Sequence, residues 1–221
     1  MLFLSIAVLS GSTIDNKHVI PNKDNDAEKT NIVLNIHVRQ FVNNYIQENW
    51  EALAAVKQRS VRPFRLIDSV FSRYGLPKEM KYLAVIESEL KSTAVSRVGA
   101  KGPWQFMPAT AMLLGLKIDS LHDERTHYYK STVAAAKYLK DLYSEFGDWY
   151  LVLAAYNGGP APVYRAIHRS GSRDFWTLEK YLPAESRGHV KRFIASHYYF
   201  EGMGSLAMVS KQSTPIQFAT L

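Results

Sequence analysis

The sequence predicts an all-α, multi-helical domain, and three observations carry that prediction. Apolar residues return every three or four positions through most of the chain. Glycine and proline punctuate those runs at the places where helices stop and start, leaving only short connections between them. No stretch shows the strict alternation of a half-buried strand, and no internal repeat is present.

Between Val33 and Arg59, Ile36, Phe41, Val42, Tyr45, Ile46, Trp50 and Leu53 form one apolar stripe, which predicts a long amphipathic helix broken near Asn49. Arg62-Pro63 stops it, and Pro63 opens a second helix through Phe64, Ile67, Val70 and Phe71 that Gly75 closes. Pro77 suits the first position of the next helix, with Glu79 in its first turn. Leu83, Ile86 and Leu90 form the buried stripe of that helix, and Glu87, one turn after Leu83, falls at its edge. The serines and glycines from Lys91 to Gly102 favour a loop with tight turns, which would bring Gln105 back beside Glu87.

Pro108 starts a short helix ending at Gly115, and 119–129 reads as polar and irregular. Ser131 is the expected N-cap of a helix running to Phe146 and ended by Gly147. Asp148 caps the next, in which Trp149, Val152, Leu153 and Tyr156 share a face, and Gly158-Gly159-Pro160 ends it just after Tyr156 and Asn157. A helix from Pro160 carries Val163 and Ile167, residues 174–183 form a short helix and turn, and a last helix spans Ser186 to Tyr199 with Val190, Phe193 and Ile194 inward.

At 221 residues the chain can bury one sizeable core, with no compositional shift that argues for two. Residues 1–31 read as an export signal, an apolar run from Leu2 to Ser12 too short to cross a bilayer, followed by a flexible tether; 32–205 form the folded unit, with N-terminal helices over 33–75, and 206–221 a tail. There is no cysteine, which excludes disulfides, a thiolate nucleophile and cysteine metal sites. The net charge of +7 is spread, without a patch or a nucleic-acid reader motif, so the reading is no nucleic acid and long-range attraction to an anionic polymer or membrane surface. His122 and His127 lack zinc-site spacing and are expected on a polar surface loop, so no metal and no cofactor is called.

An acid at the edge of a buried stripe has two readings. A glutamate tied to an arginine or a backbone N–H is the commoner case; a desolvated acid that donates a proton, as glycosidase acids do, is the rarer one. The adjoining motifs favour the second. Glu87-Ser88, then Gly102-Pro103-Trp104-Gln105, then Ala155-Tyr156-Asn157 stand in the order and approximate spacing of the soluble lytic transglycosylase superfamily. The chain resembles that family, in its membrane-bound murein transglycosylase D branch, from about Leu53 to about Gly202.

The resemblance implies a lysozyme-like catalytic domain in the cell envelope, periplasmic, exported or membrane-associated, with peptidoglycan glycan strands as its partner. It implies cleavage of the β-1,4 bond between N-acetylmuramic acid and N-acetylglucosamine, with Glu87 serving as acid and then as base. Glycosidases ordinarily need a second carboxylate roughly 5–9 Å away; neither Glu79 nor Glu89 shares the face of Glu87, while Asp148 and Glu185 stay open as distant candidates. One acid suffices where the muramoyl C6 hydroxyl is the nucleophile and a 1,6-anhydro end forms. By the same resemblance Ser88, Gln105, Tyr156 and Asn157 are groove residues, and Trp104 offers an apolar face to a pyranose; core packing is the competing reading of both aromatics, and a local helix-end cap that of Ser88.

The chain departs from the family pattern at two points. Pro103 stands where leucine or methionine is common, which stiffens the loop and removes one backbone donor. His189, in Glu185-Ser186-Arg187-Gly188-His189-Val190, takes the place of a tyrosine and can bring a hydrogen bond or a positive charge to Glu87. The rival readings are a goose-type lysozyme-like hydrolase on the same scaffold and a wall-binding protein without turnover.

Overall fold

The computed structural model describes residues 36–201, and these form helices joined by turns and three isolated β-bridges, with no β-strand among them. The expected export signal, tether and tail lie outside the described residues, as do residues 33–35 of the expected first helix. The all-α expectation holds.

Helices α1 (Ile36–Glu48) and α2 (Trp50–Arg59) replace the one long helix, with the break where it was expected: the Asn49 side-chain amide turns back to donate to the Tyr45 carbonyl at 2.8 Å. Helix α3 (Val61–Tyr74) begins two residues before Pro63, which sits in the first turn where its missing N–H costs no helical bond, and Gly75 ends it in the left-handed conformation.

The expected helix from Pro77 is two pieces. A 3-10 turn (Lys78–Lys81) leads into a short helix α4 (Tyr82–Ser88), and Pro77 is extended. Leu90 is buried as anticipated but for another reason. The helix stops at Ser88, and Glu89 and Leu90 both take positive φ, so Leu90 is folded back under the helix by its own N–H bond to the Ala84 carbonyl at 3.1 Å. Ile86 is only half-buried.

Helix α5 (Pro108–Leu113) follows the loop, and a 3-10 turn (Glu124–Thr126) interrupts the segment expected to be irregular. Helix α6 (Tyr128–Phe146) starts three residues before Ser131. Its N-cap is His127, whose ring accepts from the Lys130 N–H, while the Ser131 hydroxyl bonds the His127 and Tyr128 carbonyls inside the first turn. Helix α7 (Trp149–Gly158) is capped by Asp148 as predicted, its Oδ1 accepting from Tyr150 and Leu151 at 2.9 and 3.1 Å. Helices α8 (Pro160–Ser170), α9 (Phe175–Leu178) and α10 (Ala184–Glu201) complete the helices of the described residues.

The packing is organised around α7. Leu151 to Ala155 are all buried, and α6, α8 and α10 surround it. An almost wholly apolar helix of this kind is stable only when covered on every side. Helix α10 packs on α1, α4 and α7 at once through Val190, Phe193, Ile194 and Ala195, all fully buried. It thereby brings the ends of α4 and α7 to one place, although seventy residues of chain separate them.

Candidate active site

Four segments converge there: the end of α4 with Glu87 and Ser88, the loop from Glu89 to Phe106, the end of α7 with Tyr156 and Asn157, and the first turns of α10 with Ser186 and His189. The loop is held from below. Arg125 is buried, and one of its terminal nitrogens donates to the carbonyls of Gly99 and Phe106 at 2.8 and 3.0 Å, while Asp123 receives two further bonds at 2.9 and 2.7 Å. The Arg125 guanidinium above all, with Lys101 beside it, holds the Asp123 carboxyl down at about 2. Gly102 passes so close that a β-carbon would lie 1.9 Å from the Arg125 carbonyl oxygen, and its φ is +84°.

Glu87 is the acid at the meeting point. His189 Nε2 lies 2.8 Å from Glu87 Oε1, with the imidazole side chain 3% exposed and the glutamate side chain 16% exposed. The carboxyl is thus neither in open water nor sealed. Burial raises the Tyr156 phenol well above its usual range, and the Glu87 charge acts on it in the same direction, so the two groups are neighbours. Tyr156 donates its hydroxyl to the Trp104 carbonyl at 2.7 Å, and its ring leans on Phe106 and Tyr138.

The remaining residues singled out by sequence are brought to this region, but several serve the loop. The Ser88 hydroxyl is buried and reaches the Pro103 carbonyl at 2.9 Å and the Ala84 carbonyl at 3.2 Å, so it ties α4 to the loop and is no groove residue. The expected pyranose platform is corrected as well. Trp104 is fully buried against Phe71, and its indole N–H bonds Thr132 Oγ1 at 3.0 Å, so no ring face is offered to a ligand. Gln105 has a positive φ of 49°, an unfavourable conformation compensated by its side-chain amide, which donates to the Gly102 and Ala94 carbonyls at 2.8 and 3.2 Å. Asn157 Oδ1 accepts from the Ser186 hydroxyl at 3.0 Å. Pro103 fits because the carbonyl of that residue, not its N–H, is what Ser88 uses.

The other carboxylates considered as partners of Glu87 are engaged or remote. Glu89 pairs with Arg59 and Lys91 at 2.9 and 2.8 Å, Asp148 caps the opposite end of α7, and Glu185 is exposed at the start of α10. Sequence reasoning missed Arg125, Thr132 and Ser186. Only Ser186 carried a signal, through its place in the motif that ends at His189.

His122 pairs with Asp119 at 3.2 Å, and no group able to hold a metal ion exists among the described residues. An open recess between α3, α5 and α6, lined by Tyr74, Leu116, Val133 and Lys137, contains none of the residues above and is not the site.

Comparison with known proteins shows what the chain as a whole is similar to. Residues 67–179 match the family model described as the transglycosylase SLT domain. The chain is 32% identical over 191 residues to membrane-bound lytic murein transglycosylase D of Escherichia coli (strain K12), an alignment covering 82% of this chain and 42% of that protein. It is 39% identical over 94 residues to a putative tributyltin chloride resistance protein of Alteromonas sp. (strain M-1), covering 42% of this chain and 45% of that one. The chain therefore spans less than half the length of these curated relatives. Among solved structures, the 70-kDa soluble lytic transglycosylase of Escherichia coli matches with a TM-score of 0.57 at 24% identity, over 77% of this chain and 31% of that one, a likeness of fold.

Proposed function

Because the chain belongs to the transglycosylase SLT domain family, we propose that it is a peptidoglycan lytic transglycosylase in which Glu87 acts first as acid and then as base. The observation that carries the reading is the single half-hidden carboxyl of Glu87, held by His189 at 2.8 Å and bordered by Tyr156. In this reading Glu87 gives its proton to the glycosidic oxygen between N-acetylmuramic acid and N-acetylglucosamine. The resulting carboxylate takes the proton of the muramoyl C6 hydroxyl as that oxygen closes on C1. A 1,6-anhydro end forms, no water is consumed, and Glu87 recovers its proton.

Neutral His189, donating from Nε2, satisfies Oε1 and leaves Oε2 to carry the working proton. Tyr156 and Asn157 border the groove beside it. The envelope is the proposed place of work, in line with the membrane-bound description of the Escherichia coli relative; no helix among the described residues is long and apolar enough to cross a membrane.

Mass spectrometry of sacculi digested by the protein tests the reading. Muropeptides one water lighter, with anhydro ends, are expected from wild type and none from Glu87→Gln. Reducing ends alone would replace this reaction with hydrolysis, and no release at all would remove the enzymatic reading.

A further inference from the structure

Helix α4 spans seven residues, and two turns of helix give Glu87, in the last of them, little rigidity of their own. The turn that follows is one that side chains avoid: Glu89 and Leu90 take φ of 54° and 65° in succession, and neither is glycine. Its N–H groups are satisfied from within the segment. Glu89 donates to the Val85 carbonyl at 2.8 Å, Leu90 to Ala84 at 3.1 Å and Lys91 to Ser88 at 3.0 Å. The Glu89 carbonyl is satisfied from outside it. Arg59, the last residue of α2, donates to that oxygen from Nε at 3.2 Å and from Nη2 at 3.1 Å. Nη2 also reaches Glu89 Oε2 at 2.9 Å, and Lys91 Nζ lies 2.8 Å from the same carboxylate oxygen.

The Arg59 and Glu89 side chains are 38% and 45% exposed, so their charge attraction alone fixes little. The contact with the carbonyl differs, because a planar guanidinium gripping a backbone oxygen through two nitrogens sets the position of the main chain. Helix α2 is itself seated on α10. Leu53 and Val56 are buried, Trp50 meets the edge of Tyr199 at 5.4 Å, and Lys57 lies over the same ring at 5.5 Å. Tyr199 belongs to the helix that carries His189. Helix α2 thus holds both carriers of the Glu87–His189 contact, α4 through Arg59 and α10 through Trp50 and Lys57, although it precedes residues 67–179.

We propose that Arg59 is a positioning residue: it fixes the left-handed turn after α4 against a helix docked on α10, and so sets Glu87 at hydrogen-bond distance from His189. The kinetic consequence rests on the glycan-cleaving reading above, while the geometric one stands without it. Without the guanidinium, the turn loses the partner of its outward carbonyl and Glu87, two residues before it, loses its fixed place. A displacement of about 1 Å is enough to cost an acid most of its rate.

Arg59→Met, which keeps the aliphatic stem and removes the guanidinium, tests the proposal. On soluble glycan fragments kcat should fall about tenfold or more with KM within about twofold of wild type. Lys91→Met removes the other cation from Glu89 and should leave both constants unchanged. Glycine adopts a positive φ without strain, so adding Glu89→Gly to Arg59→Met should recover the larger part of the lost rate, a rescue that general loss of stability would not show. Thermal melting establishes that each variant is folded at the assay temperature. Nitrogen-15 NMR gives a readout that needs no turnover: the His189 Nε2 proton, bonded to Glu87, should exchange with water at least about tenfold faster in Arg59→Met than in wild type. A wild-type exchange rate in folded Arg59→Met would overturn the proposal, as would a wild-type kcat. Absence of turnover by wild type would remove the glycan-cleaving reading alone, and the exchange rate would then decide the positioning.

Discussion

His189 on α10 meets Glu87 on α4 through one contact, Nε2 to Oε1 at 2.8 Å, while the other ring nitrogen of His189 is buried without a partner among the described residues. A buried N–H with nothing to bond is costlier than a buried lone pair. The arrangement therefore favours the neutral tautomer with its proton on Nε2, donating to the carboxyl.

Replacing His189 by alanine should accordingly lower kcat by about 10- to 100-fold with little change in KM, because the acid loses its orientation and the groove does not change. His189→Tyr restores a donor to Oε1 and should recover part of the rate. A raised KM with kcat unchanged in both variants would assign His189 to sugar binding instead. Steady-state rates on soluble glycan fragments give the answer.

Arg125→Met should loosen the loop that carries Trp104 and Gln105. It leaves the Gly99 and Phe106 carbonyls without their donor and Asp123 without its main partner, at a cost of about 3–5 kcal/mol. The Asp123 carboxyl is held at about 2, below its usual 3.8, so its share of stability is fully present above the usual value and is lost as pH falls toward 2. Chemical denaturation between pH 7 and pH 2.5 should show that acid-side loss in wild type and a shallower one in Arg125→Met.

Gly102→Ala should destabilise by more than about 2 kcal/mol. The new methyl would have to displace the Arg125 backbone, not a flexible side chain, and φ is +84° besides. Gly115→Ala makes the control: its φ is also +84°, but nothing lies near its missing β-carbon, so it should cost only about 1 kcal/mol. A thermal shift of the same size for both would mean that the loop yields.

How far these features were legible in the sequence follows from how local each one is. Gly75, Gly147 and Gly171 end helices in the left-handed conformation, and Asp148 caps α7 with two bonds to the next turn; each is written within a few residues of itself. The edge position of Glu87 was readable for the same reason. Pro77 misled because proline's fixed φ also suits the extended residue before a 3-10 turn. Leu90 was placed in the right environment by the wrong geometry, since helical spacing and a left-handed hairpin under the helix both bury the residue two after Ser88. Trp104 and Ser88 look like groove residues until Phe71, Thr132 and the Pro103 carbonyl are brought to them from other segments. Arg125 gave no sign, because an arginine in a polar run reads as surface until the loop it supports is folded around it.

His197 offers the sharpest test of stability against pH. Its ring stacks on Tyr82 at 4.8 Å and meets the edge of Phe193 at 5.9 Å, and neither ring nitrogen has a partner among the described residues. Burial pushes its pKa down from the usual 6.5 to about 3, and the nearby Lys81 charge adds to that. The unfolded chain therefore binds a proton that the folded protein refuses. Stability is fully present above about 6.5 and falls by about 1.4 kcal/mol for each pH unit between there and 3. His197→Phe keeps a ring of similar shape against Tyr82 and removes both unbonded nitrogens, so at pH 7 it should be as stable as wild type to within about 1 kcal/mol. At pH 4.5 it should be the more stable of the two by about 2–3 kcal/mol, because carboxylates that titrate in the same range affect both proteins alike and cancel in the difference. Urea midpoints at the two pH values measure this. Parallel loss in the two proteins would mean that His197 gains a hydrogen-bond partner in solution.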